Sequence, residues 1–234
     1  MPQVPYCRIE FDLPLQWHQL RFFRGALLAN APADHPLLHQ HTEADQLLYQ
    51  YPLVQYKRIG GRAALVGLGT GAELLPILLD ASQRGSLNLN GQEVQAPIRR
   101  ISTRTFRIQR WDTPIRYHIQ HWAAFNAQNL AEYHAAPNEA AQNRILSRVL
   151  RNNIIALAKS LDWWIEGELT VHWLHTDHEG QLSYKDVQRV VLSGVFEANV
   201  SLPPFISLGR HSSHGFGVLN FARREEPELE AEMA

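Results

Sequence analysis

The hydrophobic pattern switches between a period of two and a period near 3.6 in a fixed order, and that order leaves few folds open. Arg8-Ile9-Glu10-Phe11-Asp12-Leu13 alternates as a strand does, and Gln16 to Asn30 places Leu20, Phe23, Leu27 and Leu28 on one helical face. Tyr51 to Ile59 and Arg62 to Leu68 read as strands joined by the tight turn Gly60-Gly61. Gly71 to Ala81 reads as a helix carrying Leu74, Leu75, Leu78 and Leu79, with Pro76 in its first turns. Leu87 to Arg110 supplies two or three short strands with a turn at Asn90-Gly91. The first half thus runs strand, helix, loop, strand, strand, helix, strand.

The second half opens with a strand at Ile115-Arg116-Tyr117-His118-Ile119. A long helix comes next, from the N-cap candidate Asn138 to Leu161, with Ile145, Leu146, Val149, Leu150, Ile155 and Leu157 at helical spacing. Thr170 to Thr176 and Tyr184 to Phe196 read as strands joined through Glu179-Gly180, and Gly215 to Ala222 as the last strand. The first order is that of a ferredoxin-like unit, and the second is compatible with a degenerate copy of it. The expected class is α+β, with two ferredoxin-like (RRM-like) domains in tandem over 1–110 and 111–224, the second degenerate. No internal repeat is visible at the level of residues. The tail 225–234 carries five glutamates and no base, and is expected to be disordered.

Composition excludes several classes. A net charge of −1 argues against a protein that coats nucleic acid with its whole surface, so a nucleic-acid site here would be a local groove. Arginine makes up nearly all of the basic residues, and its planar fork suits phosphates and stacked bases. No apolar run reaches the roughly 18 residues that span a bilayer. A single cysteine, Cys7, forms no internal disulfide, and the N-terminus lacks a signal-peptide layout, so a cytoplasmic setting is expected.

Several groups of residues invite chemical readings. Val66-Gly67-Leu68-Gly69-Thr70-Gly71 has the strand, glycine turn and helix of a nucleotide or S-adenosylmethionine site. Its spacing is not G-x-G-x-x-G, and the next segment has a hairpin pattern rather than a parallel crossover, so a tight strand-to-helix turn accounts for it better. His172, His175 and His178 stand three apart, which on a strand alternates their faces, and no thiolate pair is available for a structural zinc. No metal and no cofactor are expected. His35, His39 and His41 crowd into one loop, and two imidazoles together give and take protons near neutral pH. Arg99, Arg100, Arg104, Arg107 and Arg110 form the most basic stretch of the chain.

Four motifs together resemble the CRISPR-associated endoribonucleases that cut precursor CRISPR RNA within its repeats, in the subtype with two catalytic histidines. They are Leu20-Arg21-Phe22-Phe23-Arg24-Gly25, Leu38-His39-Gln40-His41, Tyr51-Pro52-Leu53-Val54-Gln55-Tyr56-Lys57 with the Gly67–Glu73 turn, and Leu202-Pro203 with Leu208-Gly209-Arg210 and Ser213-His214-Gly215-Phe216-Gly217. The resemblance implies metal-independent cutting in which a 2′-hydroxyl attacks the adjacent phosphate and a 5′-hydroxyl product leaves. It implies His39 and His41 as the acid–base pair, Tyr49 or Tyr51 as orienting the phosphate, and Lys57 as offsetting its charge. It also implies a loop around Gly209, Arg210, Gly215 and Gly217 that holds RNA backbone, aided by Arg99, Arg100 and Arg104. Repeat RNA is the expected partner, with other CRISPR effector subunits or a second copy of the chain as further ones. A module that binds the repeat without cutting it stands as the alternative. The chain departs from the family pattern at Ser207 and Arg210, and His211 and His214 are extra histidines within the loop.

Overall fold

The computed structural model describes residues 3–31, 51–83, 85–184 and 187–222. His35, His39, His41, Tyr49 and the acidic tail lie outside the described residues. The elements in chain order are β1 (Gln3–Pro14), α1 (Leu20–Asn30), β2 (Val54–Ile59), β3 (Arg62–Leu68), α2 (Thr70–Gln83), β4 (Leu87–Leu89), β5 (Gln92–Val94), β6 (Ile98–Arg107), β7 (Arg110–Trp122), α3 (Ala127–His134), α4 (Glu139–Ser160), β8 (Val171–Tyr184), β9 (Val187–Val200) and β10 (Val218–Phe221).

Two four-stranded antiparallel sheets carry the fold, ordered β2-β3-β1-β6 and β10-β7-β9-β8. The α+β architecture is consistent with tandem ferredoxin-like folds. The sequence pattern explains the layers. Alternation in β1 aims Ile9, Phe11 and Leu13 at α1 and α2, where they meet Phe23, Leu27, Leu75 and Leu78 in one apolar cluster. The Phe11 and Phe23 rings meet edge to face at 5.6 Å. In the second half, the apolar face of α4 lays Ile145, Leu146, Val149, Leu150 and Leu157 against Trp122, Trp173 and Phe196. Asn138 caps that helix by accepting from the Ala141 N–H at 2.9 Å.

The second cluster is not confined to the second sheet. Val4, Tyr6, Val66 and Leu68 of the first sheet share it with Leu202, Ile206 and Leu208. The Tyr6 hydroxyl crosses the seam to donate to the Pro204 carbonyl at 3.0 Å. The two sheets therefore share one apolar cluster, beside the one the first half builds with its own helices, and the seam between them is packed side chain.

The structure departs from the periodicity at three places. β8 runs on through Glu179-Gly180, which pair with Leu192 and Val191, so no turn lies there; Gly180 sits inside a long ladder that carries register shifts further up, and a lone glycine marked the wrong place for the turn. The short helix α3 was not visible as periodicity, because in its eight residues only Tyr133 is buried. The first strand begins at Gln3, since Pro5 leaves the extended pairing with β6 intact. No described helix is long and apolar enough to cross a membrane.

Candidate functional site

The seam places strand β2 of the first half against the segment that connects β9 to β10 in the second. Gln55 and Lys57 stand two apart on β2 and so point to one face, toward that segment, while Val54 and Tyr56 face the helices. Both polar side chains are fully buried. Gln55 satisfies its whole amide: Nε2 donates to the Tyr51 hydroxyl at 2.8 Å and to the Pro52 carbonyl at 3.1 Å, and Oε1 accepts from the Ser207 N–H at 2.9 Å. Lys57 Nζ donates to Ser207 Oγ and reaches the Ser212 carbonyl at 3.5 Å. One glutamine and one lysine thus fasten the glycine-rich loop of the second half to a strand of the first.

The loop itself is built on close approach. Gly209 and Gly217 have φ of +87° and +68°. A Cβ on Gly209 would lie 2.5 Å from the Trp122 indole nitrogen, and one on Gly217 would run into the Leu208 carbonyl oxygen. A Cβ on Gly215 would lie 2.8 Å from Leu20 of α1. These glycines let the loop lie flat on β7 and on the first half. Arg210 is exposed beside them, its N–H held by the Ala123 carbonyl at 3.2 Å.

The resemblance assigns Lys57 to the phosphate; in the structure its amino group meets Ser207 and Ser212 and has no exposed surface. Burial holds its pKa well below the ordinary lysine value. In the unfolded chain Lys57 titrates near 10.4. Between those values the unfolded chain binds one proton more than the native one, so stability rises with pH, by up to about 1.4 kcal/mol per unit. Lys57→Met should flatten that rise as pH climbs toward about 9.5, below the range where tyrosines titrate. Urea unfolding of both proteins up to that pH measures the difference.

Tyr51 is also buried, and its N–H donates to Ser160 Oγ at 3.1 Å, at the C-terminal end of α4. Burial pushes its phenol above the usual tyrosine range, and the bond from Gln55 pulls the other way. Tyr51 is where the described chain resumes after residue 31. A cavity of about 750 Å³ opens beside it, lined by Tyr51 with Asn152, Ile155, Lys159, Ser160 and Asp162.

Arg99, Arg100 and Arg104 are exposed on β6, which is an edge strand of the first sheet. Across the seam, the Arg8 guanidinium of β1 stacks on the Phe205 ring at 4.4 Å, and Phe205 has φ of +65°. Arg148 of α4 is paired with Glu132 at 2.5 Å, on a solvated face. His118 and His175 share the Asp177 carboxylate at 2.9 and 3.0 Å, both histidines standing opposite Val195 of the intervening β9. Among the described residues, no group of three or more His, Cys, Asp or Glu side chains could hold a metal ion.

Gly67 and Gly71 have a packing reason. A Cβ on Gly67 would lie 2.6 Å from the Gly71 carbonyl oxygen, and one on Gly71 would strike the Leu53 carbonyl. β3 runs antiparallel to both of its neighbours, which is not the parallel crossover of a dinucleotide fold. Sequence reasoning missed Gln55 and treated Ser207 only as a departure from pattern. The period-two spacing of Gln55 and Lys57, two polar residues on a strand between apolar ones, was the available signal.

The chain was compared with known proteins. A model described as the Cas6b N-terminal domain matches residues 2–107, and one described as the Cas6b C-terminal domain matches residues 109–221. Two crystal structures described as Cas6b, one of them as a CRISPR RNA processing endoribonuclease, superpose over 94% of this chain and 100% of theirs, with TM-scores of 0.84 and 0.71 at 23% and 24% identity. A structure described as a type IV Cas6 crRNA endonuclease, Csf5, has a TM-score of 0.58 and 15% identity, over 95% of this chain and 100% of that one. At these identities the structures support the fold. An uncharacterised protein of Methanocaldococcus jannaschii is 30% identical over 99 residues, which is 42% of this chain and 66% of that protein. With both family models matched end to end across the two sheets, the chain belongs to the Cas6b family of CRISPR endoribonucleases.

Proposed function

We propose that this chain cuts CRISPR repeat RNA without a metal ion, by attack of a 2′-hydroxyl on the adjacent phosphorus, to mature guide RNAs. The observation that supports it best is the seam, where Gln55 and Lys57 lock the loop of residues 207–217 beside Tyr51, at the end of the segment that carries His39 and His41. One imidazole of the pair takes the proton from the 2′-hydroxyl as the new O–P bond forms. The other gives a proton to the 5′-oxygen as its bond to phosphorus breaks. The products are a 2′,3′-cyclic phosphate and a 5′-hydroxyl, and the two imidazoles titrate as one coupled pair.

Tyr51 and Lys57 act as positioning residues in this reading. Their polar atoms are buried and bonded within the seam, so they hold the loop against the first half. Exposed Arg210, with Arg99, Arg100 and Arg104 on the first sheet, supplies charge for the RNA backbone, while Gly209, Gly215 and Gly217 seat the loop that presents Arg210. The halves 1–110 and 111–224 act as two RRM-like domains, the second degenerate in that the loop stands where its second helix would be, with the tail 225–234 after it. Repeat RNA is the partner, with effector subunits or a second copy as further ones, in the cytoplasm.

The test is a labelled repeat incubated in EDTA beside repeats carrying 2′-deoxy at each position in turn. Cutting in EDTA that one substitution abolishes is expected, and that position names the attacking hydroxyl. Tight binding without product in every repeat tried would replace this reading with a binding module.

A further inference from the structure

A second concavity lies on the other side of the glycine-rich loop, and the activity above leaves it unused. It encloses about 160 Å³ between the halves and is lined by Trp17, His18, Leu20, Arg21, Ser183, Tyr184, His214 and Phe216. Phe216 is 1% exposed and lies under both large rings, 5.1 Å from Trp17 and 5.7 Å from Tyr184, edge-on to each. Trp17 is braced from behind by His121 at 5.1 Å, and Tyr184 by His211 at 4.5 Å. The His214 ring packs on Tyr184 at 5.2 Å and is oriented by Ser213 Oγ at 2.8 Å from Nδ1. Of the two loop histidines that depart from the family pattern, His214 thus lines this cavity and His211 backs Tyr184.

Its chemistry is uneven in one direction. Arg21 lines it, and Arg24, Arg21 and Arg189 are all close enough to Tyr184 to oppose the upward push of burial on its phenol. No carboxylate lines it among the described residues. Aromatic walls, polar groups at the rim and guanidinium charge suit a flat, hydrogen-bonding ring attached to a phosphate.

We infer that the cavity is a nucleobase slot: Trp17 and Tyr184 stack on one base of the bound RNA, Phe216 closes the floor, and Arg21 meets the attached phosphate. The site rests on the RNA-cutting reading and adds a contact to one base. It makes one position of the repeat matter through its base, while the loop backbone holds its neighbours without regard to sequence.

The experiment is an abasic scan. Repeat RNAs made uncleavable by 2′-deoxy at the cut, each lacking one base, are titrated against native protein, Trp17→Leu and Tyr184→Leu. In the native protein one position should lose about tenfold in affinity when its base is absent. That penalty should fall below about twofold in both variants, with the penalties elsewhere unchanged. Since Trp17 also packs on Phe216, exposed Arg21 gives an independent variant. Arg21→Gln should reduce the slope of log affinity against log salt by about 0.7. Unchanged penalties and slope in all three variants, with the repeat still cut by native protein, would overturn the slot and leave the cutting reading standing. A native protein that bound no repeat would overturn both.

Discussion

His39→Ala and His41→Ala should each slow repeat cleavage by about 10²- to 10⁴-fold. Affinity for an uncleavable repeat should stay within about twofold, because the bound ground state is held by arginines and loop backbone that neither substitution touches. The loss belongs to proton transfer. Without the base, the 2′-hydroxyl keeps its proton and attacks poorly; without the acid, the 5′-oxygen must leave as an alkoxide. Single-turnover cleavage in EDTA, paired with titration of the 2′-deoxy repeat, separates the two quantities. Groups that act as a unit are not additive, so the double variant should be little slower than the worse single one. The native rate should follow a bell-shaped pH profile, and each single variant should lose one limb of it. Native-like rates in both variants would remove the pair from catalysis and leave the tyrosine and lysine of the seam to be reconsidered.

Gly217→Ala should destabilise the fold by about 2 to 5 kcal/mol, adding the strain of an alanine held left-handed to the cost of overpacking. Gly217 has φ of +68°, its N–H donates to the His121 carbonyl at 3.0 Å, and its carbonyl accepts from Leu208 at 2.9 Å. A methyl there meets the Leu208 carbonyl oxygen and lies 3.2 Å from Trp122. Neither neighbour can give way, since Trp122 is fully buried and its indole N–H is spent on Asn153 at 3.1 Å. For a chain of this size the melting temperature should fall by about 4 to 20 °C. Gly25 is the internal contrast: it lies within α1 and, among the described residues, no atom comes within 4 Å of its missing Cβ, so Gly25→Ala should stabilise by about 0.5 to 1 kcal/mol. Calorimetry on the two variants checks both signs. A Gly217→Ala protein that melts with the native one would mean that the loop does not lie on Trp122.

The same positions show what could be read ahead of the structure. Order of elements was legible because each half writes its period plainly: alternation in β1, apolar faces on α1 and α4, a glycine pair at the β2–β3 turn. Those are local properties, set by which residues share a face, and they are enough to specify two mixed layers. The glycine-rich loop was legible as a motif, since residue type and spacing mark close backbone approach; the pair His39 and His41 came from the family resemblance and lies outside the described residues. The end of β8 was not, because a glycine inside a long ladder looks the same in sequence as a glycine that closes one. Helix α3 was not, because eight residues with one buried side chain carry no period.

Tertiary structure alone decided what Lys57, Gln55 and Ser207 do. Taken from the sequence, Lys57 is a cation on a strand and open to RNA. In the fold it is a buried peg, because the packing of Val4, Tyr6 and Leu68 against Leu202 and Ile206 brings residue 207 onto residue 57, 150 positions away. The loop histidines met Tyr184 for the same reason. Residue type and period act over a few positions and are written in the chain; which remote segment covers a given face is settled by how two sheets share one apolar cluster.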